Sequence, residues 1–221
     1  PDERAIDLYR KLVGNTDETV ARAMVAELDL EHALKAYSRA GDEPWEALHR
    51  MRLEFYTSSI ATGEALRQAV YPHTLQVLRK AAAEGRATAV ATSSFTEEAL
   101  RVLQEIGVVD TLDVVVGRDR VARGKPHPEM YLKTAGLLGV LPGEMLVFED
   151  STVGVEAAVA AGAPCIAVAN PNTQAMLESQ TLLEQRWVVV DPADLESVVA
   201  RRLMSAGDAS DAAYADGTPR E

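Results

Sequence analysis

MLVFEDSTVGVEAAVAAG (residues 145–162) joins a short apolar run, Met145 to Phe148, to two adjacent acids, Glu149 and Asp150, and then to Ser151 and an alanine-rich segment. The run reads as a buried strand and the segment after it as a helix. Neighbouring carboxylates repel each other, so the pair costs stability unless a cation or solvent screens it. The same unit recurs on both sides. ATAVA (87–91) leads into a helix from Thr96 to Ile106, and DVVVG (113–117) into a loop and a helix over 127–139. CIAVA (165–169) and WVVV (187–190) come next, the latter with a helix from Ala193 to Met204. Strand alternating with helix at this spacing predicts a Rossmann-like, mostly parallel α/β sheet covered on both faces.

Residues 1–66 have a different texture. RAIDLYRKLV, ETVARAMVAELDL, EHALKAYSRA and EPWEALHRMRLEFYTSSI place apolar residues three and four apart, the helical period. Trp45, Leu48, Met51, Leu53 and Phe55 are expected to line one stripe. Gly14 before Asn15-Thr16, and Gly41-Asp42 before Pro44, mark helix stops followed by fresh starts. The expected organisation is therefore a small all-helical unit over 1–66, an α/β core over 67–205 and a disordered polar tail over 206–221.

With 34 acidic against 22 basic residues the chain carries a formal net charge of -12, which argues against a phosphate-backbone surface, so no nucleic-acid partner is expected. No apolar stretch reaches the ~18 residues needed to cross a bilayer, so no membrane association is expected. A single cysteine, Cys165, cannot form an internal disulfide, and in PCIAVA it reads as a small buried hydrophobe. These features predict a cytoplasmic protein.

In an open parallel sheet, ligands gather outside the carboxyl ends of the strands. The residues just past the predicted strands are Thr92-Ser93-Ser94, then Arg118 through Lys125, then Glu149-Asp150-Ser151, then Asn170. Each has an ordinary reading alone: Ser94 or Thr96 as a helix cap, Lys125 as a solvated loop lysine ahead of Pro126 and Pro128. On one rim, however, hydroxyls, a lysine and paired acids form a site for phosphate with a divalent cation. Mg²⁺ takes oxygen ligands and shares them with phosphate, while a lysine and hydroxyls stabilise the charge of a transferring phosphoryl group.

VATSS (90–94), GKPHPEMY (124–131) and FEDSTVGVEAAVAAG (148–162) resemble, in order and separation, motifs two to four of the haloacid dehalogenase superfamily. More narrowly they are similar to its sugar-phosphatase and β-phosphoglucomutase branch, in which a helical cap covers the core. The resemblance implies that Thr92, with the Ser93 amide, binds the phosphoryl group and that Lys125 pairs with phosphate and nucleophile. Glu149 and Asp150 would hold Mg²⁺, supported by Ser151 and by Gly154. Gly154, Ala157, Ala158 and Ala161 would let their helix lie close to the sheet, and residues 1–66 would be the cap, closing over substrate and excluding water.

The family's first motif is missing. It is an apolar strand ending in Asp-x-Asp, whose first aspartate is the nucleophile and whose second is the general acid and base. No two aspartates here stand two positions apart, and YADGT (214–218) has Tyr214 where the attacking group belongs. The resemblance places that strand in mid-sheet, between those ending at Thr92 and Phe148, so its omission leaves a gap in the ladder. With Pro1 in place of an initiating methionine, the expectation is an N-terminally truncated piece, inactive as given. The alternative is a non-catalytic protein that binds phosphate ligands or a partner.

FEDS, in place of a Ser-Asn pattern, favours phosphate-ester hydrolysis over carbon-halogen cleavage. Mutases of this branch carry an arginine shortly after the cap glycine, where this chain has Asn15, Thr16, Asp17 and Glu18. A phosphatase for a small phosphorylated metabolite, such as a sugar or polyol phosphate, is therefore expected ahead of a β-phosphoglucomutase-type mutase.

Overall fold

The computed structural model describes residues 2–60 and 63–215. Its first part is helical: α1 (Glu3–Leu12), α2 (Asp17–Glu27), α3 (Glu31–Leu34), α4 (Pro44–Ile60) and α5 (Glu64–Gln68). Gly14 (φ 89°), just past α1, and Gly41 (φ 93°), in the turn before α4, occupy the left-handed region that is cheap only for glycine. Thr16 caps α2, its side chain accepting the Thr19 N–H at 3.2 Å. Val25, Leu34 and Ala47 form the buried centre of this unit, with Trp45, Leu48 and Met51 packed against them. The expected stripe is thus only partly buried. Phe55 continues the same face of α4 but is 75% exposed, because the partner helix α2 has 11 residues against 17 in α4. Leu53 falls on the opposite side at 100° per residue.

The α/β part begins with α6 (Pro72–Ala83) and runs through β1 (Ala89–Ala91), α7 (Thr96–Glu105), β2 (Val114–Val116), α8 (Glu129–Leu138), β3 (Val147–Glu149) and α9 (Thr152–Ala160). β4 (Cys165–Val168), α10 (Gln174–Ser179), β5 (Val188–Val189) and α11 (Leu195–Ala215) complete it. Helix α11 corrects the sequence reading: it extends past Met204 through residues 206–215 of the expected disordered tail, and residues 216–221 lie outside the described residues. Alanine-rich composition outweighed the small polar residues there. No helix among the described residues is long and apolar enough to cross a membrane.

All strand pairs among the described residues are parallel, but they form two separate ladders, β1-β2 and β3-β4-β5. The break falls between β1 and β3. The Thr92 N–H donates to Val116 O and the Asp113 N–H to Thr88 O, each at 2.9 Å. Backbone alternation therefore turns Ala89 and Ala91 away from β2, toward the break. On the other side the Val147 N–H donates to Pro164 O at 2.8 Å, which turns the backbone of Phe148 to the break. Burial agrees: β1 is half-buried throughout, whereas the first three residues of β4, flanked on both sides, are buried.

Neither Ser94 nor Thr96 is the N-cap of α7. Asp119, from the loop after β2, accepts hydrogen bonds there from the Thr96 N–H (2.7 Å) and Oγ1 (2.8 Å). These bonds hold its carboxyl below the ordinary value of 3.8. A depressed pKa contributes stability above that value, and the contribution is lost as pH falls through the folded-state pKa. Asp119→Asn is accordingly expected to lower the thermal midpoint at pH 7. The difference from the unsubstituted chain should shrink in melts taken below pH 4.

Candidate phosphate and metal site

Lys125 holds the two ladders together at the break. It is 9% exposed, and its Nζ donates to Ala91 O at 3.2 Å and to Glu149 Oε1. The solvated-loop reading of this lysine is therefore excluded. One ammonium touches the last residue of β1 and the last of β3, so Thr92 and Asp150, the next residues, stand on one rim. The Lys125-Pro126 peptide is cis, and Lys125 Nζ lies 5.3 Å from the centre of the Tyr131 ring.

Glu149 sits beneath the rim, 7% exposed. Its Oε1 also accepts from the Tyr131 hydroxyl, and its Oε2 faces Ser151 Oγ at 3.4 Å. Tyr131 is 4% exposed; burial first, and the Glu149 charge second, raise its phenol above the ordinary value. Ser151 caps α9 through Gly154 N–H, 3.1 Å from its Oγ. Gly154 leaves no room for a side chain, since a Cβ there would lie 1.9 Å from Glu149 Oε2. With Ala157 and Ala158 fully buried and Ala161 nearly so, the small face of α9 lies on the sheet as expected.

Asp150 is the exposed member of the acidic pair. Asn170, the first polar residue after β4, donates from Nδ2 to Asp150 Oδ2 at 3.3 Å. Crowding by the surrounding protein, then the Glu149 charge, raise the Asp150 carboxyl above its ordinary value, with Lys125 opposing. Cys165 is fully buried, and burial with the Glu149 charge pushes its thiol up to about 12, as befits a core hydrophobe.

On the other side of the rim the Thr92 hydroxyl accepts the Ser94 N–H at 3.1 Å, leaving its own proton free to donate. Ser93 Oγ donates to Gly14 O at 3.2 Å, and a Cβ on Gly14 would meet Ser151 Oγ at 2.3 Å. The α1–α2 turn of the helical unit is thus seated between Ser93 and Ser151. Gly14→Ala is expected to cost about 1–2 kcal/mol from its left-handed backbone alone, with a further cost from the clash, read as a fall in the urea midpoint at unchanged slope. The acids that follow Gly14 are neutralised: Asp17 lies 2.5 Å from Arg52 and Glu18 2.9 Å from Arg22.

Both carboxylates and the Asn170 amide offer the hard oxygens that suit Mg²⁺. Among the described residues no group of three or more His, Cys, Asp and Glu side chains comes together to hold a metal ion. The donor chemistry fits, and the donor set leaves positions for phosphate and water. Sequence reasoning gathered Thr92, Ser93, Lys125, Glu149, Asp150, Ser151 and Gly154, and the structure assembles all seven at or beneath one rim. It missed Tyr131, although that residue ends the same GKPHPEMY segment, on the face of α8 turned to Lys125.

A parallel α/β core with this rim and a helical unit seated on it matches the architecture the resemblance implies. The profile of haloacid dehalogenase-like hydrolases matches residues 3–162, and the chain belongs to that family. It is 29% identical over 156 residues to the phosphorylated carbohydrates phosphatase of Thermotoga maritima, covering 71% of this chain and 65% of that protein. To the validoxylamine A 7'-phosphate phosphatase of Streptomyces hygroscopicus subsp. limoneus it is 36% identical over 108 residues, 47% of this chain and 51% of the relative. The chain thus spans less than two thirds of either relative. In fold it is similar to the β-phosphoglucomutase of Clostridium difficile (TM-score 0.70, 19% identity, 93% of this chain and 83% of that one). It is also similar to CbbY of Rhodobacter sphaeroides in complex with phosphate (TM-score 0.58, 24% identity, 75% and 71%).

Proposed function

We propose that the protein is a Mg²⁺-dependent phosphatase for a small phosphorylated metabolite, a sugar or polyol phosphate, whose nucleophilic aspartate lies outside these 221 residues. The observation that carries the reading is Lys125, buried and shared between the ends of β1 and β3, where a fixed positive charge faces the rim. The phosphatase relatives, one of which is named for phosphorylated carbohydrates, support the substrate class.

In this reading the Thr92 hydroxyl and the Ser93 amide donate to oxygens of the phosphoryl group, and Lys125 offsets its charge. Asp150, steadied by Asn170, and Glu149 would hold Mg²⁺, which when bound neutralises phosphoryl oxygens. In this reading a strand that ends in Asp-x-Asp would occupy the break between β1 and β3. Its first aspartate takes the phosphoryl group from the ester oxygen, and its second protonates the departing alcohol. The second then deprotonates the water that releases inorganic phosphate. The helical unit covers substrate from the Gly14 side.

Phosphatase is favoured over mutase because Asn15, Thr16, Asp17 and Glu18 follow Gly14 where the resembling mutases carry an arginine, and Arg22 and Arg52 are engaged by Glu18 and Asp17. A second phosphate would find no uncommitted partner in them. The 221-residue chain is expected to show no Mg²⁺-dependent hydrolysis of p-nitrophenyl phosphate. With the residues encoded ahead of Pro1 included, it should hydrolyse that ester. Turnover by the chain starting at Pro1, abolished by Glu149→Ala or Asp150→Ala, would contradict this assignment of the nucleophile. A coding sequence without Asp-x-Asp ahead of Pro1 would favour the non-catalytic alternative.

A further inference from the structure

We infer that Tyr131 is a positioning residue for the metal carboxylates, acting through Glu149; this deepens the phosphatase reading and rests on it. Glu149 Oε1 receives two donors at once, the Lys125 ammonium and the Tyr131 hydroxyl. Both donors are buried, and the tyrosine ring also lies under the Lys125 charge. A carboxylate held by Lys125 alone can pivot about its Cγ–Cδ bond, exchanging which oxygen the ammonium meets. A second donor, fixed on α8 at a different angle, removes that freedom and leaves Oε2 as the oxygen with capacity to spare. Among the described residues the hydrogen-bond partner of Oε2 is Ser151 Oγ at 3.4 Å, and the bare Gly154 gives Oε2 room. The hydroxyl therefore decides which Glu149 oxygen is available and how it is turned relative to Asp150.

A phenylalanine would pack in the same place and keep the ring under Lys125, so Tyr131→Phe isolates the hydroxyl. The full-length protein is compared with this variant by direct titration of Mn²⁺, followed by electron paramagnetic resonance without substrate, and by the Mg²⁺ dependence of p-nitrophenyl phosphate turnover. Loss of a hydrogen bond that orients a ligating side chain weakens metal affinity about 10- to 100-fold. The expected result is a Mn²⁺ dissociation constant raised at least about tenfold, a matching rise in the Mg²⁺ needed for half-maximal rate, and a kcat at saturating Mg²⁺ within a factor of about three of the unsubstituted value. Thermal melts of both proteins test the purely structural explanation. A variant that melts lower but binds Mn²⁺ with unchanged affinity overturns the assignment, as does unchanged affinity without a melting shift. Absence of Mn²⁺ binding by the unsubstituted protein overturns the metal-dependent phosphatase reading itself, and the Tyr131 assignment with it.

Discussion

Replacement of Lys125 by methionine is expected to destabilise the fold by about 3 kcal/mol and, in the protein that carries the nucleophilic aspartate, to abolish phosphatase turnover, because it removes one half of a buried ion pair. Breaking such a pair by deleting one partner costs about 3–5 kcal/mol, since a charge is left without compensation in a poor solvent for it. The lower end applies here: Glu149 keeps the Tyr131 hydroxyl and faces Ser151. Methionine preserves the length of the stem, so little of the loss comes from packing. Adding Glu149→Gln should return more than half of the lost stability, because the pair is then replaced by a neutral group that Tyr131 still satisfies. Turnover should not return. Urea unfolding of the two single variants and the double variant closes the cycle, with a coupling energy above about 1 kcal/mol expected for groups in contact. A Lys125→Met cost below about 1 kcal/mol, within the range of exposed ion pairs, would show that the pair is not the buried link between the two ladders.

Gly154→Ala should destabilise by about 2 kcal/mol or more, against the usual trend. In an ordinary helix interior, alanine is better than glycine by about 1 kcal/mol. Here the new Cβ would lie 1.9 Å from Glu149 Oε2 and 2.1 Å from its Cδ, distances that real atoms do not keep. Either Glu149 swings away from Lys125 and Tyr131, or α9 lifts off β3 and opens the core that contains Val155, Ala157 and Ala158. Overpacking of this kind costs about 1–3 kcal/mol, and the broken buried pair adds to it. The same change made in a Glu149→Ala background should be nearly neutral, because the colliding atoms are gone. Equal costs in the two backgrounds, measured by urea unfolding, would place the strain elsewhere.

Much of this architecture was legible in the residues. Five short apolar runs separated by helices marked the five strands to within two residues, because strands buried on both faces are written as continuous hydrophobic stretches. The rim was legible from the same runs, since the residues just past a strand's carboxyl end in a parallel sheet lie on the ligand side. The break in the sheet followed from the resemblance rather than from the pattern, since the family places a strand between those ending at Thr92 and Phe148 and this chain shows no Asp-x-Asp strand. Other features were set by contacts that periodicity does not encode. Asp119 caps α7 across 23 residues of chain, so local spacing pointed to Ser94 and Thr96 instead. Tyr131 had no role assigned from sequence, and the position of Glu149 across the break gives its hydroxyl a task. The acids after Gly14 looked repulsive to phosphate in the sequence, yet Arg22 and Arg52 neutralise them from elsewhere on α2 and from α4. The length of α11 depended on composition that also suits a polar tail.

The central claim is that four separate segments of the chain meet at one rim and together take up a magnesium-bound phosphate. Backbone amide shifts of the ¹⁵N-labelled chain, followed by NMR as orthophosphate is added with and without Mg²⁺, test it most directly. Movement of Thr92 and Ser93, Gly124 and Lys125, Glu149 to Ser151, and Asn170 along one shared binding curve that steepens with Mg²⁺ is the predicted result. Shifts confined to one of these segments, or spread over surfaces away from the rim, or indifferent to Mg²⁺, would contradict it.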